Sequence, residues 1–381
     1  MSNAMQLFNY SAALPLIFQI DKGSRHRVGE IIREKDLPFH RVVVIHGASF
    51  SKQIADDISK SLTGFQVKHF AVPSNDQSCA DKLRLFVREA NIDLIICVGG
   101  GKVIDVGKRA GLLADKAVLA VPTILSNDGL ISPIAVLRNT EGKTESLPGH
   151  MPIGAIIDSQ VILDSPHRNV LAAAGDLLSN FSAVADWRFS AAVHGERIVD
   201  PALLLSIDAA ESVLRFDPEA EKEEFIFQLT RAQILSGVAM ALAKSSRPCS
   251  GSEHLIAHAI DYLGLAKNVL HGEIVGAISL FTLWLSRSLQ KSHLAFARRV
   301  SSTCLFTELS SDIPENIHDI FRLSRTMRPG RHTILDSYSD NRLILLLAEF
   351  ESEMRNGLFD EPEMGQARMA KPKLRLQGQS Y

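Results

Sequence analysis

A chain of 381 residues exceeds what one ordinary hydrophobic core organises and points to two domains, both of which a hydrophobic share of 46% can fill. With 41 basic against 43 acidic residues the formal net charge is -2, which leaves no field suited to nucleic acid or an anionic membrane and favours a small-molecule partner. Cys79, Cys97, Cys249 and Cys304 stand far apart, outside any paired ligand motif, and read as reduced thiols of a cytoplasmic protein.

No basic region leads into an apolar one at the N-terminus, so no secretory signal is expected, and Met1 to Ala4 reads as an appended leader. Arg41 to Ile45, R-V-V-V-I, is short, β-branched and followed by His46-Gly47-Ala48-Ser49, as a buried parallel strand ending in a turn would be. Helical spacing follows from Ser51 to Leu62, then a strand from Gln66 to Phe70 and a helix from Asp81 to Ala90. Ile92 to Val98 is a third strand, running straight into Gly99-Gly100-Gly101 and a helix from Lys102 to about Ala114; Val118 to Val121 supplies a fourth. This alternation signals βαβ units around a parallel sheet. Ser126 to Pro133 is turn chemistry, Arg138 to Pro148 reads as a hairpin or loop, and Ala155 to Ile157 is a last short strand.

Beyond Ser165 helical periodicity takes over: Leu171 to Ser190, Ala202 to Leu214, Glu221 to Lys244, Ser252 to Leu263, Glu273 to Leu289, Ile317 to Leu323 and Asn341 to Arg355. The longest apolar stretch, Gly276 to Leu285, falls short of the roughly 20 residues that span a bilayer. We therefore expect a Rossmann-like α/β domain over 1–165, an all-helical domain over 166–360 and a disordered tail over 361–381.

Three stretches could carry chemistry. Gly99-Gly100-Gly101 between strand and helix lets backbone approach a phosphate at the positive end of the helix, or is merely a tight turn. Asp105, one turn in, lies near such a site or is an exposed acid favouring the helix dipole. Thr123, Ser126 and Asp128 follow the C-terminal end of a strand, where open α/β sheets bind ligands, although Ser, Asn and Asp also dominate turns for local reasons. His254 and His258 share one helical face and His271 follows a loop further on; such histidines hold a metal or fill a core. Asp176 reads as an acid at the start of an apolar helix that could complete a site with two imidazoles.

Six motifs in order resemble a known family. They are V-G-G-G-K-V-I-D-V-G-K at Val98 to Lys108, V-P-T-I-L-S-N-D-G-L-I-S-P at Val121 to Pro133, G-D-L-L-S-N at Gly175 to Asn180, S-G-S-E-H-L-I-A-H-A-I-D at Ser250 to Asp261, H-G-E at His271 to Glu273, and R-P-G-R-H-T-I-L-D at Arg328 to Asp336. Together they are similar to the iron-containing alcohol dehydrogenase family of metal-dependent polyol dehydrogenases, and most of all to its sn-glycerol-1-phosphate dehydrogenase branch. The resemblance covers about residues 40 to 340.

It implies a 3-dehydroquinate synthase-like fold and reversible reduction of dihydroxyacetone phosphate to sn-glycerol 1-phosphate with NAD(H) or NADP(H). It also implies one divalent ion, zinc first with nickel or iron as alternatives, held by Asp176, His254 and His271. Asp128 and His258 take catalytic places near the substrate, and Gly99, Gly100, Gly101, Lys102, Asp105, Thr123 and Ser126 line the cofactor. Because His46-Gly47-Ala48 offers no acid to the adenosine ribose, either nicotinamide is admitted. A triose phosphate needs a cationic clamp, for which Lys143, Arg331 and His332 are candidates. A homo-oligomer is expected from the apolar helices of the second half. Within the family, a polyol dehydrogenase without phosphate and a sugar phosphate cyclase remain alternatives; the cyclase branch carries a V-D-S-S-V-G-G-K-like stretch where this chain reads V-P-T-I-L-S-N-D-G.

Overall fold

The computed structural model describes residues 15–125, 128–300 and 304–357, with the backbone alone at Asp128. Ser126 and the expected tail over 361–381 lie outside the described residues. The chain opens with β1 (Ile17–Asp21) and α1 (Val28–Glu34), then β2 (Arg41–His46), α2 (Phe50–Ser61), β3 (Gln66–Ala71) and α3 (Gln77–Glu89). It continues with β4 (Leu94–Gly99), α4 (Gly101–Ala114), β5 (Ala117–Pro122), a hairpin of β6 (Ile134–Arg138) and β7 (Thr144–Pro148), and β8 (Gly154–Asp158). After β8 every element is helical: α5 (Ser159–Leu163), α6 (His167–Leu177), α7 (Ser179–His194), α8 (Asp200–Glu211), α9 (Lys222–Ala243), α10 (Ser252–Tyr262), α11 (His271–Leu285), α12 (Lys291–Val300), α13 (Asp312–Ser324) and α14 (Asp340–Arg355).

Six strands form one parallel sheet in the order β1-β8-β5-β4-β2-β3, while β6 and β7 pair antiparallel beside it. Val42 to Ile45 and Leu94 to Val98 are wholly buried, which is why these strands read as continuous apolar runs: helices cover both faces. From β2 the chain steps outward to β3 and then back across to β4, so winding reverses between β2 and β4. Ligands of open α/β sheets bind outside the C-terminal ends of strands at such a switch point, and Gly99 to Gly101 stand there.

Three local expectations are corrected. The helix read as Leu171 to Ser190 is two helices broken at Leu178, so Asp176 lies near the C-terminal end of α6 instead of in a first turn. His271 is the first residue of α11 rather than part of the loop before it. Helix α9 is apolar and long enough, by length and composition alone, to cross a membrane, although 67% of its apolar window is buried inside the protein. Its Phe225, Leu229 and Ala232 are core residues.

His293 on α12 supplies a pH test of the helical core. The ring is 3% exposed and its Nδ1 accepts the Gln290 N–H at 3.2 Å; burial pushes its pKa down to about 4. The unfolded chain therefore binds the extra proton between about pH 6.5 and 4 while the folded chain does not, so stability falls as pH drops through that window, by up to about 3 kcal/mol. Denaturant midpoints measured across it should fall less steeply in His293→Leu; an unchanged slope would refute the assignment.

Candidate metal centre

The cluster is built by an unusually close crossing of α6 and α11. A Cβ on Gly272 would stand 1.9 Å from the Ala172 carbonyl oxygen, one on Gly175 2.7 Å from the Gly272 oxygen, and one on Gly276 3.0 Å from the Gly175 oxygen. Only glycine permits this backbone contact. It brings Asp176 from α6 beside His271 from α11, with Asp176 Oδ1 3.8 Å from His271 Nε2.

His254 arrives from α10. Asp186 on α7 accepts the Ser252 N–H at 2.6 Å with one oxygen and the Ile334 N–H at 2.7 Å with the other, fixing where α10 begins. Glu253, wholly buried, accepts the Gly251 N–H at 2.6 Å, the Ser182 hydroxyl at 2.8 Å and His254 Nδ1 at 2.9 Å. Burial pushes the Glu253 carboxyl up, but the His254 hydrogen bond and charge, with the Gly251 and Ser182 donors, outweigh it and hold the acid below its ordinary value. By accepting from Nδ1, Glu253 sets the plane of the His254 ring and turns Nε2 toward the cluster, 3.6 Å from Asp176 Oδ1.

Asp176, His254 and His271 each present one ligand atom within 4.8 Å of the others. Ligand atoms about 2.1 Å from an ion at tetrahedral angles lie about 3.4 Å apart, so one carboxylate and two imidazoles at these spacings fit a divalent cation with coordination positions to spare. Burial, and then the charge of His254, lower the pKa of His271, so that its ring is neutral and free to ligate. Among the described residues this is the one group of three or more such side chains close enough to hold an ion. Removing the buried Glu253 charge by Glu253→Gln should weaken metal affinity roughly 10- to 100-fold without loss of fold, read by competition with a chelator; unaltered affinity would assign Glu253 to helix capping alone.

His258, one turn further along α10, stands apart. Its ring centroid is 6.0 Å from that of His254 and 6.3 Å from that of His271, and its Nε2 is 3.4 Å from Arg328 Nη2. Burial, then the charge of Arg328, hold its pKa well below the ordinary value, so the ring is neutral. It lines a cleft of about 950 Å³ shared by the β6–β7 hairpin, Tyr262, Arg328 and Arg331.

On the sheet side, Gly99 closes β4, Gly100 precedes α4 and Gly101 begins it, while Thr123 is buried with its N–H on the Gly99 carbonyl at 3.1 Å. Lys102 is exposed. Asp128 falls in a 3-10 turn, Asp128–Leu130, against which α9 packs. Asp105 departs from its expected exposure: its side chain is 13% accessible and its carboxylate is 2.7 Å from Lys108 Nζ, itself completely buried. Asp105 also accepts the Val136 N–H, and Lys108 donates to the Gly129 carbonyl at 2.7 Å. The pair ties α4 to both the turn after β5 and the hairpin.

Of the three clamp candidates only Arg331 reaches the cleft. Lys143 Nζ is 2.7 Å from the Tyr262 hydroxyl and 3.2 Å from Glu141, and His332 stacks on His194 at 3.8 Å. Glu253, Asp186, Lys108 and Arg328 were quoted inside motifs or passed over. The signal for Glu253 was a charge beside a histidine on an otherwise apolar helix; that for Lys108 was its i+3 spacing from Asp105.

The family model described as iron-containing alcohol dehydrogenase matches residues 19–166. The glycerol-1-phosphate dehydrogenase [NAD(P)+] of Thermococcus sibiricus is 32% identical over 334 residues, 87% of this chain and 94% of that one. The protein of the same name from Pyrococcus abyssi is 35% identical over 297 residues, 77% of this chain and 85% of that one. Among solved structures, a probable glycerol dehydrogenase from Sinorhizobium meliloti superposes with a TM-score of 0.72 at 19% identity, covering 91% of this chain and 99% of that one. The sulfoacetaldehyde reductase of Bifidobacterium kashiwanohense, solved with NAD+, gives 0.70 at 18% identity over 90% and 98%. These two likenesses speak to the fold.

Proposed function

The chain belongs to the iron-containing alcohol dehydrogenase family, and on that premise we propose that it catalyses NAD(P)H-dependent reduction of dihydroxyacetone phosphate to sn-glycerol 1-phosphate. The observation that carries this reading is the convergence of Asp176, His254 and His271 beside a cleft that His258 lines. We assign those three side chains as the metal ligands, with zinc first and nickel or iron as alternatives, and place the division between the cofactor-binding and metal-bearing halves near residue 165.

When bound, a divalent ion supplies a Lewis acid for a carbonyl or alkoxide oxygen. The remaining work falls to the chain. Gly99 to Gly101 and the first turn of α4 offer backbone N–H groups to a pyrophosphate, and Thr123 flanks them. Lys102 is exposed at the same helix start and adds charge there. His258, held neutral, suits hydrogen bonding to a substrate hydroxyl and relay of a proton rather than storage of one. Asp128 stands in the turn between the two halves and is the second group we assign to proton movement. The hairpin forms one wall of the cleft. The cysteines among the described residues form no disulfide, in keeping with a cytoplasmic setting.

The test is oxidation of NADH and NADPH by purified protein with dihydroxyacetone phosphate, dihydroxyacetone and related ketoses, after chelation and after return of zinc, nickel or iron. Metal-dependent consumption of reduced cofactor with the phosphorylated ketose supports the reading. Turnover of a sugar phosphate with no net cofactor change would replace it with a cyclase.

A further inference from the structure

We propose that a cavity of about 560 Å³ between α7, α8, α11 and α12 is a second small-molecule site, built for a small carboxylic acid with an apolar body. It shares no lining residue with the substrate cleft, and it stands or falls independently of the dehydrogenase reading.

Helix α7 supplies one wall. Phe181, Val184, Ala185 and Arg188 recur at i, i+3, i+4 and i+7, so they share one face of the helix, and all four line the cavity. Ser182 and Asp186 leave the same helix toward Glu253 and the start of α10. Leu283 and Ile334 extend the apolar lining. The volume falls in the range of roughly 300 to 1,000 Å³ that is ordinary for ligand sites.

Two polar groups of the lining are donors without partners. His293 is 3% exposed, and its Nδ1 accepts the Gln290 backbone N–H at 3.2 Å. A nitrogen that accepts carries no proton, so the neutral ring bears its hydrogen on Nε2. Burial pushes the ring's pKa down to about 4, which makes this the form present at neutral pH. The ring lines the cavity and packs on Phe181 with centroids 4.4 Å apart, while Nε2 has no hydrogen-bond partner among the described residues. A buried N–H without an acceptor is costly, and a ligand oxygen removes that cost. Arg188 is exposed on the same lining, with neither ion pair nor hydrogen bond to a described residue. Glu211 is the one acid of the lining; it too is exposed, and it forms no ion pair with Arg188. A carboxylate answers the buried donor and the unpaired cation alike, whereas an amine answers neither.

Calorimetry on the metal-loaded full chain compares 4-phenylbutyrate with 4-phenylbutanol, the same body without the charge. One molecule of the acid should bind with the roughly submillimolar affinity open to ligands of about twelve heavy atoms, and the alcohol about tenfold more weakly. Ala185→Phe fills the cavity from a half-buried position, Arg188→Gln removes the cation at the surface, and His293→Phe keeps a ring against Phe181 without its donor. Each should weaken the acid about tenfold. Binding should survive in His271→Ala. Binding indifferent to Arg188→Gln overturns the proposal, and its loss in His271→Ala would place the acid at the metal centre instead. Equal affinity for acid and alcohol overturns it as well. So does a wild type that binds neither, whether water fills the cavity or a second copy caps it, which sedimentation would show. If Ala185→Phe or His293→Phe fails to fold, Arg188→Gln decides the matter.

Discussion

His271→Ala should yield protein that holds no stoichiometric metal and reduces ketose at least about a thousandfold more slowly, yet binds NADH with nearly unchanged affinity. The ring is one of the three ligands we assign, and a carboxylate and single imidazole 3.6 Å apart are a poor chelate on their own. The barrier rises by the several kcal/mol that a Lewis acid contributes, and each 1.4 kcal/mol is a factor of ten. Truncation costs the fold little, because 40% of the His271 side chain is already solvent-exposed and the helix keeps its Leu270–Glu273 start. NADH affinity should hold because the proposed pyrophosphate loop, Gly99 to Gly101, joins β4 to α4 and carries none of the three ligands. Metal analysis, steady-state rates and NADH fluorescence together decide the point; full activity in metal-free variant protein would end the metal mechanism.

Lys108→Met should produce the largest loss of stability of any single change outside the cluster, about 3 to 5 kcal/mol by denaturant midpoint and slope. Methionine fills a similar volume, so the cost is electrostatic: Asp105 would lose the ammonium 2.7 Å away while remaining 13% accessible, and the Gly129 carbonyl would lose the charged one of its donors. Burial already pushes the Asp105 carboxyl up, and the Lys108 charge and hydrogen bond, with the Val136 N–H behind them, restrain it. The double variant Asp105→Leu with Lys108→Met should recover most of the loss, since a buried pair replaced by apolar groups is often neutral. A single-variant cost below about 1 kcal/mol would show that water reaches the pair.

The features legible in the sequence were those encoded by neighbours along the chain. β-Branched runs alternating with helical spacing announced the parallel sheet, and Gly99 to Gly101 after Ile92 to Val98 marked the strand-to-helix turn at its switch point. Spacing alone put His254 and His258 on one face, though not that one ring would join Asp176 while the other met Arg328. What escaped depended on contacts distant in sequence. Strand β1 pairs with β8, far away along the chain, and its I-F-Q-I-D carries no pattern of its own. The break at Leu178 interrupts an apolar run without a proline, so Asp176 was set at the wrong end of its helix. Lys108 and Glu253 are residue types that belong on surfaces by default, and only their partners explain their burial.

The glycine crossing of α6 and α11 also limits how this site can change. Where side chains separate two helices, rotamers absorb a mismatch between cage and occupant; here backbone meets backbone and nothing is left to adjust. The bite between Asp176 and His271 thus behaves as a fixed gauge. Among divalent ions whose size that gauge accepts, preference then follows from donor chemistry and supply. Retuning that preference by mutation would have to work through the orientation of His254, whose helix is anchored by hydrogen bonds that can be exchanged one at a time.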